Sequence, residues 1–96
     1  MQQSAIMIDT KDNVATVLRQ MEREEFIRIE TEGRAVEVTI SQAIPAGHKF
    51  VLTDIDMGEP IIKYGEVIGL AAQKIRKGEH AHIHNIEGQK GRGDKS

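Results

Sequence analysis

The apolar residues of this chain fall in short runs of period two, each cut off by a turn signal. That spacing constrains the fold of the 96 residues more than any other feature. Phe26-Ile27-Arg28-Ile29-Glu30 and Ala35-Val36-Glu37-Val38-Thr39-Ile40 alternate, and Glu32-Gly33-Arg34 between them predicts a hairpin turn. Lys49-Phe50-Val51-Leu52-Thr53 is rich in β-formers and closes at the turn-forming Asp54-Ile55-Asp56-Met57-Gly58-Glu59. After Pro60, Ile61-Ile62-Lys63-Tyr64 forms another short strand, ended by Gly65. Val67-Ile68-Gly69-Leu70-Ala71-Ala72 follows, where Gly69 predicts a bend or a close backbone approach. Ala81-His82-Ile83-His84-Asn85 alternates again.

Asn13 to Glu25 supports two readings. Val14, Val17, Leu18 and Met21 fall at helical spacing behind a capping Asp12, yet Val14-Ala15-Thr16-Val17-Leu18 is also a good strand. We expect a strand through Leu18, then a polar turn or short helix. The chain is thus expected to be all-β, with about seven short strands in a compact, irregular barrel or sandwich. It contains no evident internal repeat or linker. The reading is one domain over 1–88 with a flexible, glycine-rich, basic tail over 89–96.

Composition excludes several functions. Without cysteine, no disulfide framework, thiolate zinc site or internally ligated iron–sulfur cluster is available. The net charge of −2, with acidic and basic residues interspersed, argues against nucleic acid as a ligand. Phe26, Phe50 and Tyr64 are too scattered for a base-stacking platform. The N-terminus has neither a basic start nor a long apolar run, and no stretch approaches the ~20 apolar residues of a membrane span. The expectation is a soluble, cytoplasmic protein without membrane contact.

The histidines carry the chemical interest. His80, His82 and His84 share one face if their segment is a strand, and imidazoles at that spacing can ligate a divalent metal or bind a carboxylate. Such a His-x-His run is more often a set of surface histidines near a chain end than a metal site. His48 and Lys49 follow a turn made by Pro45 and Gly47, a junction suited to an anionic ligand but also an ordinary turn. Asp54, Asp56 and Glu59 read as turn-formers in a solvated loop, and Arg92-Gly93-Asp94 as coincidence. No nucleophile–His–Asp set and no phosphate loop is present.

Three ordered strings carry a family resemblance: Gly47-His48-Lys49-Phe50-Val51-Leu52-Thr53-Asp54-Ile55, then Ile62-Lys63-Tyr64-Gly65-Glu66-Val67-Ile68-Gly69, then Gly78-Glu79-His80-Ala81-His82-Ile83-His84-Asn85. With Asp12-Asn13-Val14-Ala15 before them, they resemble the N-terminal portion of the altronate and galactarate dehydratases from about Ile6 to Asn85. Galactarate dehydratase shares the first two strings and differs at the third. SAF-like domains of sialic acid synthases and of flagellar or pilus chaperones lack the Gly-His-Lys and Lys-Tyr-Gly strings.

The resemblance implies a SAF domain of β-clip fold, followed in the fused enzymes by a larger catalytic region. The chain ends at Ser96, so it implies a small subunit working with a separate large dehydratase subunit on a sugar-acid substrate. The small subunit of sulfolactate sulfo-lyase is the alternative relative, and a non-catalytic structural or binding module is a third reading. It further implies a divalent metal, iron or manganese. His48 is expected as ligand or acid–base group, Lys49 beside the substrate carboxylate, Lys63 and Tyr64 as substrate contacts, and His82 and His84 as further metal ligands. An isolated subunit could also self-associate through the face meant for its partner.

Overall fold

The computed structural model describes residues 4–88 and contains no helix among them. The structure therefore holds no helix long and apolar enough to cross a membrane among the described residues. The described residues form nine strands: β1 (Ala5–Ile6), β2 (Val14–Val17), β3 (Phe26–Thr31), β4 (Arg34–Thr39), β5 (Lys49–Val51), β6 (Pro60–Lys63), β7 (Glu66–Ala71), β8 (His80–Ala81) and β9 (Ile86–Gly88). The all-β expectation holds, with more strands than the seven expected. The additional ones, β1 and β9, are two and three residues long, too short for an alternating pattern to reveal. The ambiguous Asn13–Glu25 stretch resolves as β2 followed by turns.

The strands form an antiparallel sheet ordered β1-β2-β5-β8, the β3–β4 hairpin, and a sheet ordered β6-β7-β9. Both hairpins close through two residues of positive φ. Glu32 and Gly33 have φ of 40° and 86°, and Tyr64 and Gly65 have 57° and 76°. Such turns twist with the strands they join, and glycine in the second position adopts them without strain. Tyr64 therefore sits in a turn, where a strand residue was expected.

A repeat marked in the sequence only by Ile-x-x-Gly at 44–47, 55–58 and 75–78 runs through the backbone. Met21 and Ile44 exchange both backbone hydrogen bonds, and so do Ile55 and Ile75. In the first unit, Gly47 N–H donates to Val17, Val17 N–H to His48, Glu24 N–H to Ile40 and Ile40 N–H to Glu25. In the second, Gly78 donates to Val51, Val51 to Glu79, Gly58 to Ala71 and Ala71 to Glu59. Each unit is a hairpin clamped at its base by two matching turns. Gly47, Gly58 and Gly78 hold φ of 86–90° in three of those turns, and Glu24 holds 74° in the fourth. The expectation of no internal repeat is thus corrected: the shared feature of the units is backbone pairing, and its trace in residue identity is Ile-x-x-Gly at three turns, with Met21 and Glu24 in the fourth.

The repeat explains the core. The central sheet is covered on both faces, one hairpin to a face. Ala15, Val17, Phe50 and Leu52 pack with Met21, Ile29, Val38, Ile40 and Ile44 on one side. Val14, Val51 and Ala81 pack with Ile55, Ile61, Ala71 and Ile75 on the other. Strand alternation sends successive residues of β2 and β5 to opposite cores. Gly69 fulfils its expectation: a Cβ there would lie 2.4 Å from the Glu87 carbonyl oxygen, so glycine lets β9 lie against β7.

Asp12 and Asn13 tie the second hairpin to the sheet. The buried Asp12 carboxylate accepts hydrogen bonds from Gly65 N–H at 2.8 Å, Asp9 N–H at 3.1 Å and Ile8 N–H at 3.3 Å. Asn13 accepts from Ile62 N–H at 2.7 Å and donates to the Pro60 carbonyl at 2.9 Å. The Asp-Asn pair of the family resemblance is a structural clasp here.

Candidate functional site

The pairing of β5 with β8 assembles the site. Phe50 lies opposite His80 and Lys49 opposite Ala81. His48 stands two residues before Phe50, so it projects on the same side as His80. His48 Nδ1 and His80 Nε2 are 2.8 Å apart, a hydrogen bond in which one ring donates and the other accepts according to tautomer.

His82 arrives by a different route from the one expected. The strand ends at Ala81, and residues 82–85 form a turn. The buried Asn85 holds that turn: its side chain accepts from His82 N–H at 2.9 Å and donates to the His80 carbonyl at 2.9 Å. Asn85 N–H also donates to the His82 carbonyl at 3.0 Å. The turn folds the His82 ring back onto His48, stacked at 3.9 Å between centroids. Donor atoms of His48, His80 and His82 all lie within 4.8 Å of one another. His84 is left to one side, its ring tilted 40° against His80 at 5.0 Å.

Electrostatics favour the neutral form of two of these imidazoles, His80 and His82. Burial, then the proximity of His84, His48, His82 and Lys49, pushes His80 down to about 4. Burial also lowers His82, with help from His48, Lys49 and His84. Burial and, secondarily, Lys63 lower the Lys49 ammonium, which makes it readier to give up its proton than a free lysine. Beside the cluster lies an apolar-walled pocket of about 200 Å³, lined by Lys49, Ile68, His82, Ile83, Ile86 and Gly88. It is large enough for a small organic acid, and Lys49 is the cation in its wall.

Residues 3–89 match the model of the altronate/galactarate dehydratase SAF domain. The chain belongs to that family. Subunit alpha of (2R)-sulfolactate sulfo-lyase from Chromohalobacter salexigens is 41% identical over 56 residues, 58% of this chain and 60% of the relative. Altronate dehydratase from Bacillus subtilis is 41% identical over 84 residues, 88% of this chain and 16% of the relative. The Escherichia coli altronate dehydratase is 40% identical over 80 residues, 83% of this chain and 15% of the relative. This SAF domain therefore spans less than two thirds of the length of each of these proteins.

Within the SAF domain, the structure brings together His48, Lys49 and His82 from the expected site residues. It adds His80, which alternation had grouped with His82 but which was not among the expected ligands. Lys63 sits close enough to influence Lys49, and its Nζ lies 4.7 Å from the centroid of the Tyr64 ring. Tyr64 itself is exposed at the hairpin tip and does not line the pocket. Asn85 was read as the end of a strand, and its role as the turn's organiser had no sequence signal beyond its turn propensity. Arg92 to Asp94 and the rest of the expected tail lie outside the described residues.

Three converging imidazoles can hold a divalent ion. The set is nevertheless a poor match to the iron or manganese that the resemblance implies. Manganese prefers oxygen ligands, and open non-haem iron sites pair histidine with a carboxylate. Among the described residues no carboxylate joins the group.

Proposed function

We propose that this SAF domain is the small subunit of a hydroxy-acid lyase, acting in the cytoplasm with a large catalytic chain. The observation that carries the reading is the convergence of His48, His80 and His82, with His82 and Lys49 in the wall of one small pocket. Its substrate would be a 2-hydroxy carboxylate bearing a leaving group on the adjacent carbon, a hydroxyl as in a sugar acid or a sulfonate as in sulfolactate. Both eliminations remove a proton from the carbon beside the carboxylate and expel the group on the next carbon. The resulting enol becomes a 2-keto acid.

Each residue has a role in that scheme. Lys49, desolvated at the pocket wall, pairs with the substrate carboxylate, where a point charge counts for more than in water. His48 is held by its bond to His80 and is positioned to move a proton to or from substrate. Ile68, Ile83 and Ile86 keep water from one side of the pocket. A water-excluding cover over the other side would come from the large chain. Lys63 stands near enough to assist Lys49 with a second anionic group.

The sulfo-lyase reading has its own support. The similar protein from Chromohalobacter salexigens is named a subunit, as this chain would be, whereas the altronate dehydratases are more than six times longer than the part matched. The test is an assay of altronate, galactarate and sulfolactate with this chain alone and with its large-chain partner. Turnover requiring both chains is expected, and His48→Asn should remove it while assembly persists. Full activity of the assembled His48→Asn variant would refute the catalytic role and leave a structural module.

A further inference from the structure

The imidazole cluster offers nitrogen donors and nothing else. The ligand atoms of His48, His80 and His82 lie within 4.8 Å of one another, with no carboxylate among them in the described residues. Two details set the cluster apart from chance crowding. His48 Nδ1 and His80 Nε2 already meet at 2.8 Å. His82 Nδ1 is buried without a hydrogen-bond partner among the described residues, a desolvation cost that is relieved if something engages that nitrogen.

A tetrahedral ion with metal–nitrogen bonds of about 2.0–2.1 Å separates its donors by roughly 3.3 Å. A slight widening of the His48–His80 contact would admit one. The affinity of nitrogen sites rises from manganese through iron to cobalt and beyond, and imidazole suits zinc well. We propose that His48, His80 and His82 form a three-imidazole metal centre that selects zinc or cobalt over manganese. Three protein ligands leave a further position open, and the pocket bordered by His82 and Lys49 adjoins it. A small anion is the class of ligand that would fill this position. This ligand set has His80 where the resemblance implied His84. A bound ion would take over the His48–His80 contact that holds His48 in the lyase reading, and its binding is tested without turnover.

The experiment is calorimetric titration of the full chain, stripped of metal by chelation, with zinc, cobalt and manganese chlorides. Zinc and cobalt should bind at one ion per chain, with manganese at least about tenfold weaker. His80→Ala should weaken zinc at least about tenfold, and His84→Ala by less than about threefold. Manganese within tenfold of zinc, no zinc binding by the folded chain, or a His84→Ala loss as large as that of His80→Ala would overturn the proposal. Should His80→Ala unfold, the visible spectrum of the cobalt-loaded wild-type chain decides. Intense four-coordinate bands support the centre, and weak six-coordinate bands refute it.

Discussion

Replacing Asp12 with alanine tests how much of the fold hangs on one buried carboxylate. Asp12 is 1% exposed and accepts three backbone hydrogen bonds, from Gly65 at 2.8 Å, Asp9 at 3.1 Å and Ile8 at 3.3 Å. A hydrogen bond to a charged group contributes about 1.5–3 kcal/mol net, and an abandoned buried donor adds its desolvation. Counting the two shorter bonds and neglecting the long one gives a loss of about 3–6 kcal/mol. A chain of this length has roughly 5–15 kcal/mol in all. With a urea m value of about 1–2 kcal/mol/M, the midpoint should fall by about 1.5–6 M at unchanged m, or the chain should fail to fold. Asp12→Asn should fall in between, because its amide can accept from Gly65 but turns a donor toward the other two N–H groups. A midpoint shift below about 0.5 M for Asp12→Ala would refute the clasp.

Three further outcomes are expected. Glu24 occupies at φ 74° the position that glycine fills in the three sister turns, so Glu24→Gly should stabilise by about 0.5–1 kcal/mol and raise Tm by a few degrees. A lower Tm would contradict the strain. Gly69→Ala should destabilise by about 1–3 kcal/mol or more and free β9, read as lost hydrogen-exchange protection at Ala72, whose N–H donates to the Asn85 carbonyl, since the new Cβ would collide with backbone. In metal-free protein His80 titrates at about 4 folded and near 6.5 unfolded. Between these values the unfolded chain holds the extra proton, so stability should fall as pH drops from about 6.5 toward 4, and less so in His80→Gln. Identical pH dependence of the two proteins in urea titrations would rule this out.

The alternating strands from Phe26 to Ile40 and the tight hairpin between them are legible in the residues, whereas the turn at Tyr64-Gly65 reads as the end of a strand. Phe26 to Ile40 reads as two strands around Glu32-Gly33, and the structure pairs them in that register. Gly69 reads as a close approach and is one. The repeat is easy to miss because its hydrogen bonds join main-chain atoms and its mark in the sequence is only the short Ile-x-x-Gly of 44–47, 55–58 and 75–78. It requires only a buried apolar residue at Met21, Ile44, Ile55 and Ile75 and a left-handed residue three positions on, a demand that even Glu24 meets. β1 and β9 escape because two or three residues carry no period.

The site divides along the same line. That histidines would cluster near the end of this chain, with His48-Lys49 set after a glycine turn, follows from the sequence. Which of them converge does not. His48 and His80 are 32 residues apart and meet because β5 pairs with β8. His82 joins them because Asn85 takes its N–H and turns the chain, and the same turn leaves His84 outside. Local sequence determines which segments are extended and where they can bend, since sterics and alternation act within a few residues. The direction of an imidazole at the end of a two-residue strand depends on distant hydrogen bonds and packing, and those exist only in the folded chain.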